Sequence, residues 1–301
     1  MDISYDYMVN GRKTWKNSIN INGGFNMSKD RIESKYFPIE QGIEMHYMEK
    51  GEGNPLIFIP GLTCAGEIFM RQIDYFSKQY RVIAIDPRGQ GLSVKTVDGN
   101  DYMTHGRDVA ALIDGLGLHD LVLIGWSTGN LEVWSYIQQF GKDKLRAVVT
   151  IDMSPLPLSS DPTWWTEGTM EELSTVATQV LTSPNGMRDF FNEYTTGVMM
   201  QREVESKELE YLLDIFSRTP YWICKTLFCD AIFSNYLDTA KDVGANMPSL
   251  MFIAEHWSEI AKPFVEQNLP GYETSIMGGH LMFYEYPEKW NTVLETFLNR
   301  L

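Results

Sequence analysis

The chain has 301 residues, 44% of them hydrophobic and 22% charged, which suits one large globular domain or two small ones and excludes a low-complexity or disordered polymer. Its formal charge of −15, from 25 basic and 40 acidic residues, argues against nucleic acid or an anionic membrane surface as a partner. Cys64, Cys224 and Cys229 have neither metal-ligand spacing nor a disulfide framework, and no apolar run approaches the ~20 residues of a membrane span.

In chain order, residues 1–34 read as a polar extension without the apolar core of a secretory signal, so a cytoplasmic location is expected; Met27 is an alternative start. Lys35 to Ile39 and Ile43 to Lys50 read as strands of a hairpin about Gln41-Gly42. Leu56 to Ile59 reads as a buried strand, Gly66 to Tyr80 as a helix, and Arg81 to Asp86 as another buried strand. Tyr102 to Leu116 is helical, with Val109, Leu112, Ile113 and Leu116 on one face. The apolar run Leu121 to Ile124 leads into Gly125-Trp126-Ser127-Thr128-Gly129, and a helix follows from Asn130 to Phe140. Leu145 to Asp152, Ser249 to Glu255 and Glu273 to Met277 complete the strands, and Pro287 to Leu301 closes as an amphipathic helix with proline at its start.

Strands alternating with helices predict an α/β fold with a mostly parallel sheet covered on both faces. The rhythm breaks over residues 153–248, a helical, Met-rich and aromatic insert. Its position between two sheet strands predicts a cap (lid) over the carboxyl edge of a core formed by residues 35–152 and 249–301.

Strand, Gly-x-Ser-x-Gly and helix are the context of a nucleophile elbow, which lifts the Ser127 hydroxyl beside a helix N-terminus. Such a serine needs a base, an acid to orient the base, and donors for an oxyanion. Of five histidines, His280 stands in a Gly278-Gly279-His280 loop after the last strand, able to turn back over the elbow. No metal or other cofactor is expected.

With these motifs the chain from Lys35 to Leu301 resembles the α/β-hydrolase fold superfamily. Ile59-Pro60-Gly61-Leu62 occupies the oxyanion-loop position, Asp86-Pro87-Arg88-Gly89-Gln90-Gly91-Leu92-Ser93 is similar to the D-x-R-G-x-G-x-S segment, and Tyr286-Pro287-Glu288-Lys289 is similar to the start of the terminal helix. The resemblance implies that the Leu62 and Thr128 backbone N–H groups form the oxyanion hole and that Thr63 and Cys64 border the acyl pocket. It also implies an acid after the penultimate strand, but Trp257 stands there. Glu255 and Glu259 are alternatives nearby. Some branches carry the acid after the strand that follows the nucleophile helix, where Asp152 lies, and Asp152 is the preferred candidate.

Trp126, the pair Trp164-Trp165, and Trp222 among other aromatics of the insert predict a ring-lined pocket for an apolar or aromatic small molecule. The function expected is a serine hydrolase of esters or lactones acting through an acyl-enzyme. Two other readings stay open. One is cofactor-free, dioxygenase-like chemistry on an aromatic heterocycle; the other is a ligand receptor of low turnover. Composition is silent on oligomeric state.

Overall fold

A computed structural model describes residues 31–301; most of the polar extension, including Met27, lies outside the described residues. Eight strands form one sheet: β1 (Glu33–Glu40), β2 (Ile43–Lys50), β3 (Pro55–Ile59), β4 (Arg81–Ile85), β5 (Leu121–Trp126), β6 (Leu145–Ile151), β7 (Ser249–Ile253) and β8 (Tyr272–Ile276). Their spatial order is β1-β2-β4-β3-β5-β6-β7-β8. The first two pairings, β1 with β2 and β2 with β4, are antiparallel and the other five parallel. The chain is thus an α/β protein with a mostly parallel sheet.

Strands buried on both faces explain the unbroken apolar runs. In β3, Leu56 and Phe58 belong to one core cluster and Ile57 and Ile59 to the other, the period-2 alternation of a pleated strand. The first face is covered by α1 (Met70–Phe76) and, at the end of the chain, by α11 (Pro287–Leu298). The second is covered by α2 (Tyr102–Gly115), α3 (Gly129–Phe140) and α9 (Ser258–Asn268).

Between β6 and β7 lie α4 (Met170–Thr175), α5 (Pro184–Tyr194), α6 (Ser206–Ser217), α7 (Tyr221–Phe233) and α8 (Leu237–Asn246). Both α4 and α5 end in π-helical turns, Val176–Val180 and Thr195–Met199. The last of the five, α8, buries Leu237, Ala240 and Val243 in the same cluster as α3 rather than standing above the sheet.

Some boundaries differ from expectation. The helix expected over Gly66 to Tyr80 is a 3₁₀ turn (Gly66–Phe69) followed by α1, which stops at Phe76. β7 ends at Ile253, and Glu255–Trp257 is a separate 3₁₀ turn. α10 (Met282–Glu285) is a single turn ahead of Pro287. No helix among the described residues is long and apolar enough to cross a membrane.

The strand order sets where a ligand can sit. From β3 the chain steps one way to β4, then returns past β3 to β5 on its other side. The loops leaving β3 and β5 therefore diverge, opening a crevice at their carboxyl ends. Leu62 and Ser127 follow those two strands.

Candidate active site

Ser127 leaves β5 with φ of +54°, a left-handed conformation that non-glycine residues rarely adopt, and its N–H donates to the Ile151 carbonyl (2.8 Å). The turn is crowded. A Cβ on Gly129 would fall 2.4 Å from the Ile59 carbonyl oxygen, and one on Gly61 would fall 2.8 Å from the Ser127 Cβ. Glycine at 61 is what lets the loop after β3 pass against the elbow, bringing Leu62 beside Ser127. Among the described residues neither the Leu62 nor the Thr128 N–H has a hydrogen-bond partner. Leu62, Ser127 and Thr128 all line one cavity.

His280, in the loop after β8, packs against two residues of the cavity wall, Trp126 and Tyr194. Its N–H donates to the Val198 carbonyl (3.3 Å), its own carbonyl accepts from the Trp126 indole (2.8 Å), and its ring lies 5.3 Å from Trp126 and 5.7 Å from Tyr194, centroid to centroid. The imidazole is thus fixed from two sides.

Nδ1 of His280 is 2.7 Å from Oδ2 of Asp152, and both side chains are buried. Asp152 directly follows β6 with φ of +50°; its Oδ1 accepts from the Ala254 N–H (2.8 Å) and its own N–H donates to the Phe252 carbonyl (2.9 Å). A carboxylate held by a neighbouring strand in this way leaves Nδ1 protonated and Nε2 free as the acceptor nitrogen. Ser127 Oγ and His280 form no hydrogen bond with each other; such contacts commonly tighten only with substrate bound.

The other two carboxylates considered from sequence point elsewhere. Glu255 is exposed and accepts from Gln201 Nε2 (3.0 Å) and the Gly278 N–H (3.3 Å). Glu259 is exposed in the first turn of α9.

The cavity holds about 470 Å³ and is walled mainly by apolar side chains, among them Trp126, Met153, Phe190, Phe191, Met199 and Trp257. Trp257, standing where an acid is usual, is part of that wall. Several expected lining residues are not. Thr63 adopts φ of +62°, its N–H donates to Gln90 Oε1 and its hydroxyl to the Leu62 carbonyl (2.6 Å), so it is buried behind the loop. Cys64 is in the core, where burial pushes its thiol well above the usual range, an inert state. Trp164 and Trp165 pack on Phe264 of α9 (centroids 5.6 and 6.5 Å). Trp222 is 52% exposed on α7.

Two lining carboxyls, Glu167 and Glu172, escaped the sequence reading. Glu172 closes a capping box with Thr169. Glu167 lies in a loop, where glutamate is ordinarily solvated. Burial, with Asp152 adding repulsion and His280 opposing, pushes its carboxyl up to about 7. Nothing in the local pattern around Trp165-Thr166-Glu167-Gly168 announces this.

A sequence model described as the alpha/beta hydrolase fold matches residues 54–216. The chain belongs to the α/β hydrolase fold family. It is 35% identical over 115 residues to a non-heme haloperoxidase of Rhodococcus erythropolis, covering 38% of this chain and 42% of that one. To a bifunctional esterase/perhydrolase of Acinetobacter calcoaceticus it is 32% identical over 123 residues, 40% and 45% of the two chains. The match thus spans less than half the length of these curated relatives. Among solved structures, a bromoperoxidase from Bacillus anthracis superposes with a TM-score of 0.78 at 24% identity, over 89% of this chain and all of that one. An enol-lactonase from Burkholderia xenovorans does so with a TM-score of 0.74 at 18% identity, over 88% and 100%. At these identities the superpositions speak for the fold.

Proposed function

We propose that this α/β hydrolase is a serine hydrolase that cleaves a carboxylic ester or lactone of an apolar or aromatic small molecule through an acyl-enzyme. The observation that carries the reading is the buried His280–Asp152 pair, 2.7 Å apart, whose imidazole packs against Trp126 and Tyr194 in the wall of the cavity that Ser127 lines.

In this reading Ser127 Oγ attacks the carbonyl carbon while Nε2 of His280 takes its proton. Asp152 holds the imidazole in the tautomer that can accept and stabilises the imidazolium that forms. The carbonyl oxygen becomes an oxyanion, met by the unpartnered Leu62 and Thr128 N–H groups; each such donor is typically worth about 3–4 kcal/mol in the transition state. Collapse of the tetrahedral adduct expels the alkoxide, which takes the proton from His280. A water, deprotonated by the same nitrogen, then attacks the ester on Ser127, and a second collapse returns the serine and frees the acid. We assign α4 to α7 to a cap over the cavity and α8 to the helical layer of the core.

The named activities of relatives support a second outcome at the same acyl-enzyme. Both an esterase/perhydrolase and non-heme haloperoxidases are among them. Hydrogen peroxide in place of water would release a peracid.

Aryl esters of graded acyl length test the proposal. The expected result is a burst of one equivalent of phenol and, with phenylmethylsulfonyl fluoride in place of the ester, one sulfonyl adduct on Ser127 by peptide mass, both lost in Ser127→Ala. Full turnover by Ser127→Ala would overturn it. Peracid formed only when peroxide is added, and only with Ser127 intact, would establish the second outcome.

A further inference from the structure

One polar group of the cavity wall takes no part in that chemistry. Glu167 lines the cavity from the loop between β6 and α4. Its main chain is anchored, the N–H donating to the Pro157 carbonyl (2.8 Å). Its Oε1 accepts a long bond from the Ser154 N–H (3.4 Å), and Oε2 has no hydrogen-bond partner among the described residues.

The wall around it is mainly apolar. Met153, Leu173, Val176 and Phe190 share the wall, and no lysine or arginine lines it. The titratable groups that face Glu167 are Asp152 at the end of β6, His280 after β8, Tyr194 on α5 and Glu172 on α4. Burial, with Glu167 next in effect, holds the Tyr194 phenol well above its ordinary range, so it stays neutral. Glu172 is engaged with Thr169 (2.8 and 2.9 Å). A carboxyl oxygen left unpaired in an apolar wall is unfavourable unless the occupant of the cavity meets it.

We propose that Glu167 is the specificity-determining residue of this cavity: its free oxygen, carrying the proton, donates a hydrogen bond to a second, uncharged acceptor on the substrate, a keto, amide or ether oxygen separate from the scissile carbonyl. The substrate class is then an ester or lactone with an apolar body and one further neutral oxygen acceptor. Carboxylates are refused, because they would meet the charge of Glu172 with no lysine or arginine on the wall. Burial keeps Glu167 protonated up to about pH 7, so the donor is present below that and lost above it. Cleavage at the other carbonyl rests on the serine-hydrolase reading; the Glu167 hydrogen bond does not.

Binding to Ser127→Ala tests the anchor without turnover, read by the fluorescence of Trp126 and Trp257 in the cavity wall. The probes are ethyl hexanoate, its 3-, 4- and 5-oxo derivatives, and monoethyl adipate. At pH 6 one oxo ester should bind tightest, losing roughly five- to tenfold on adding Glu167→Leu while ethyl hexanoate does not weaken. Glu167→Gln, which keeps a donor, should retain most of the preference. Raising the pH to 8.5 should weaken the oxo ester in Ser127→Ala and leave the Gln variant unchanged, and monoethyl adipate should bind worst at both values. With Ser127 intact, Glu167→Leu should raise KM for that oxo ester by more than it raises KM for ethyl hexanoate. Equal losses for oxo and plain esters, or a pH effect that survives in Glu167→Gln, would overturn the proposal. Oxo-selective binding by a protein that hydrolyses no ester would leave it standing and sink the serine-hydrolase reading instead.

Discussion

Three carboxylates compete in the sequence for one imidazole, and their surroundings separate them. Asp152 is buried, donates its N–H to the adjacent strand, and offers Oδ2 to His280; Glu255 is turned to solvent and bonded to Gln201. Asp152→Asn should keep the fold but present the wrong tautomer, lowering kcat by about 10⁴-fold, whereas Glu255→Gln should stay within roughly twofold. Steady-state turnover of an aryl ester by both variants checks this; the reverse ranking would reassign the acid. Glu167 supplies a second prediction, on stability. Its carboxyl lies at 4.5 in the unfolded chain and is raised to about 7 in the folded one, so the native state binds more protons between those values. Stability therefore falls as pH rises through that window, and the loss is complete above it. Glu167→Gln removes the effect. Relative to the parent, it should gain roughly 2–3 kcal/mol between pH 5 and pH 8 in urea unfolding. A difference that does not change with pH would show that the carboxyl is not held protonated.

The helix that follows Ser127, α3, is locked to α2 by a pair away from the cavity. His105 Nδ1 on α2 lies 2.9 Å from Glu132 Oε1 in the first turn of α3, and neither side chain reaches solvent. Burial opposes the imidazolium, but Glu132 outweighs it and lifts the His105 value; burial lifts Glu132. His105 Nε2 and Glu132 Oε2 have no other partner among the described residues, so truncating one side strands the other. His105→Ala should cost about 3–5 kcal/mol, and the volume-matched double change His105→Leu with Glu132→Leu should recover most of it. Denaturant midpoints at constant m-value decide; equal loss in single and double variants would show that packing, not the charge, dominates. These elements also explain what could be read in advance. Buried strands announce themselves because a parallel sheet needs apolar residues on both faces, and the elbow does so because its glycines answer to contacts within a few residues. Thr63 and Trp222 misled for the converse reason. Whether a loop threonine faces the cavity depends on Gln90, 27 residues away, and whether an insert tryptophan is buried depends on how α7 rotates against α2 and α5. Glu167 was invisible because its cavity is assembled from α4, α5, α7 and the strand ends together.

Across the whole molecule the excess of 40 acidic over 25 basic residues acts as a field rather than as contacts. Individual surface pairs oppose it locally: Lys50 with Asp74 at 2.7 Å, Arg188 with Glu210 at 2.5 Å and Arg300 with Glu273 at 2.6 Å. Each of these is exposed on at least one side and contributes about 0–1 kcal/mol. Repulsion among the unpaired carboxylates is longer in range and grows with compaction, so it weighs against the folded state more than against the extended chain. Salt screens both, but unequally. The Debye length falls from about 30 Å at 0.01 M to about 8 Å at 0.15 M, which removes the long-range repulsion while leaving pairs in contact largely in place. Raising sodium chloride from 0.01 to 0.15 M should therefore raise Tm, by roughly 2–4 °C for each kcal/mol of repulsion relieved. Chloride is the anion to use, since sulfate would stabilise by exclusion from the surface whatever the charge. A Tm that falls over this range would mean that the ion pairs outweigh the field, and the acidic surface would then be a stabilising network instead of a repulsive shell.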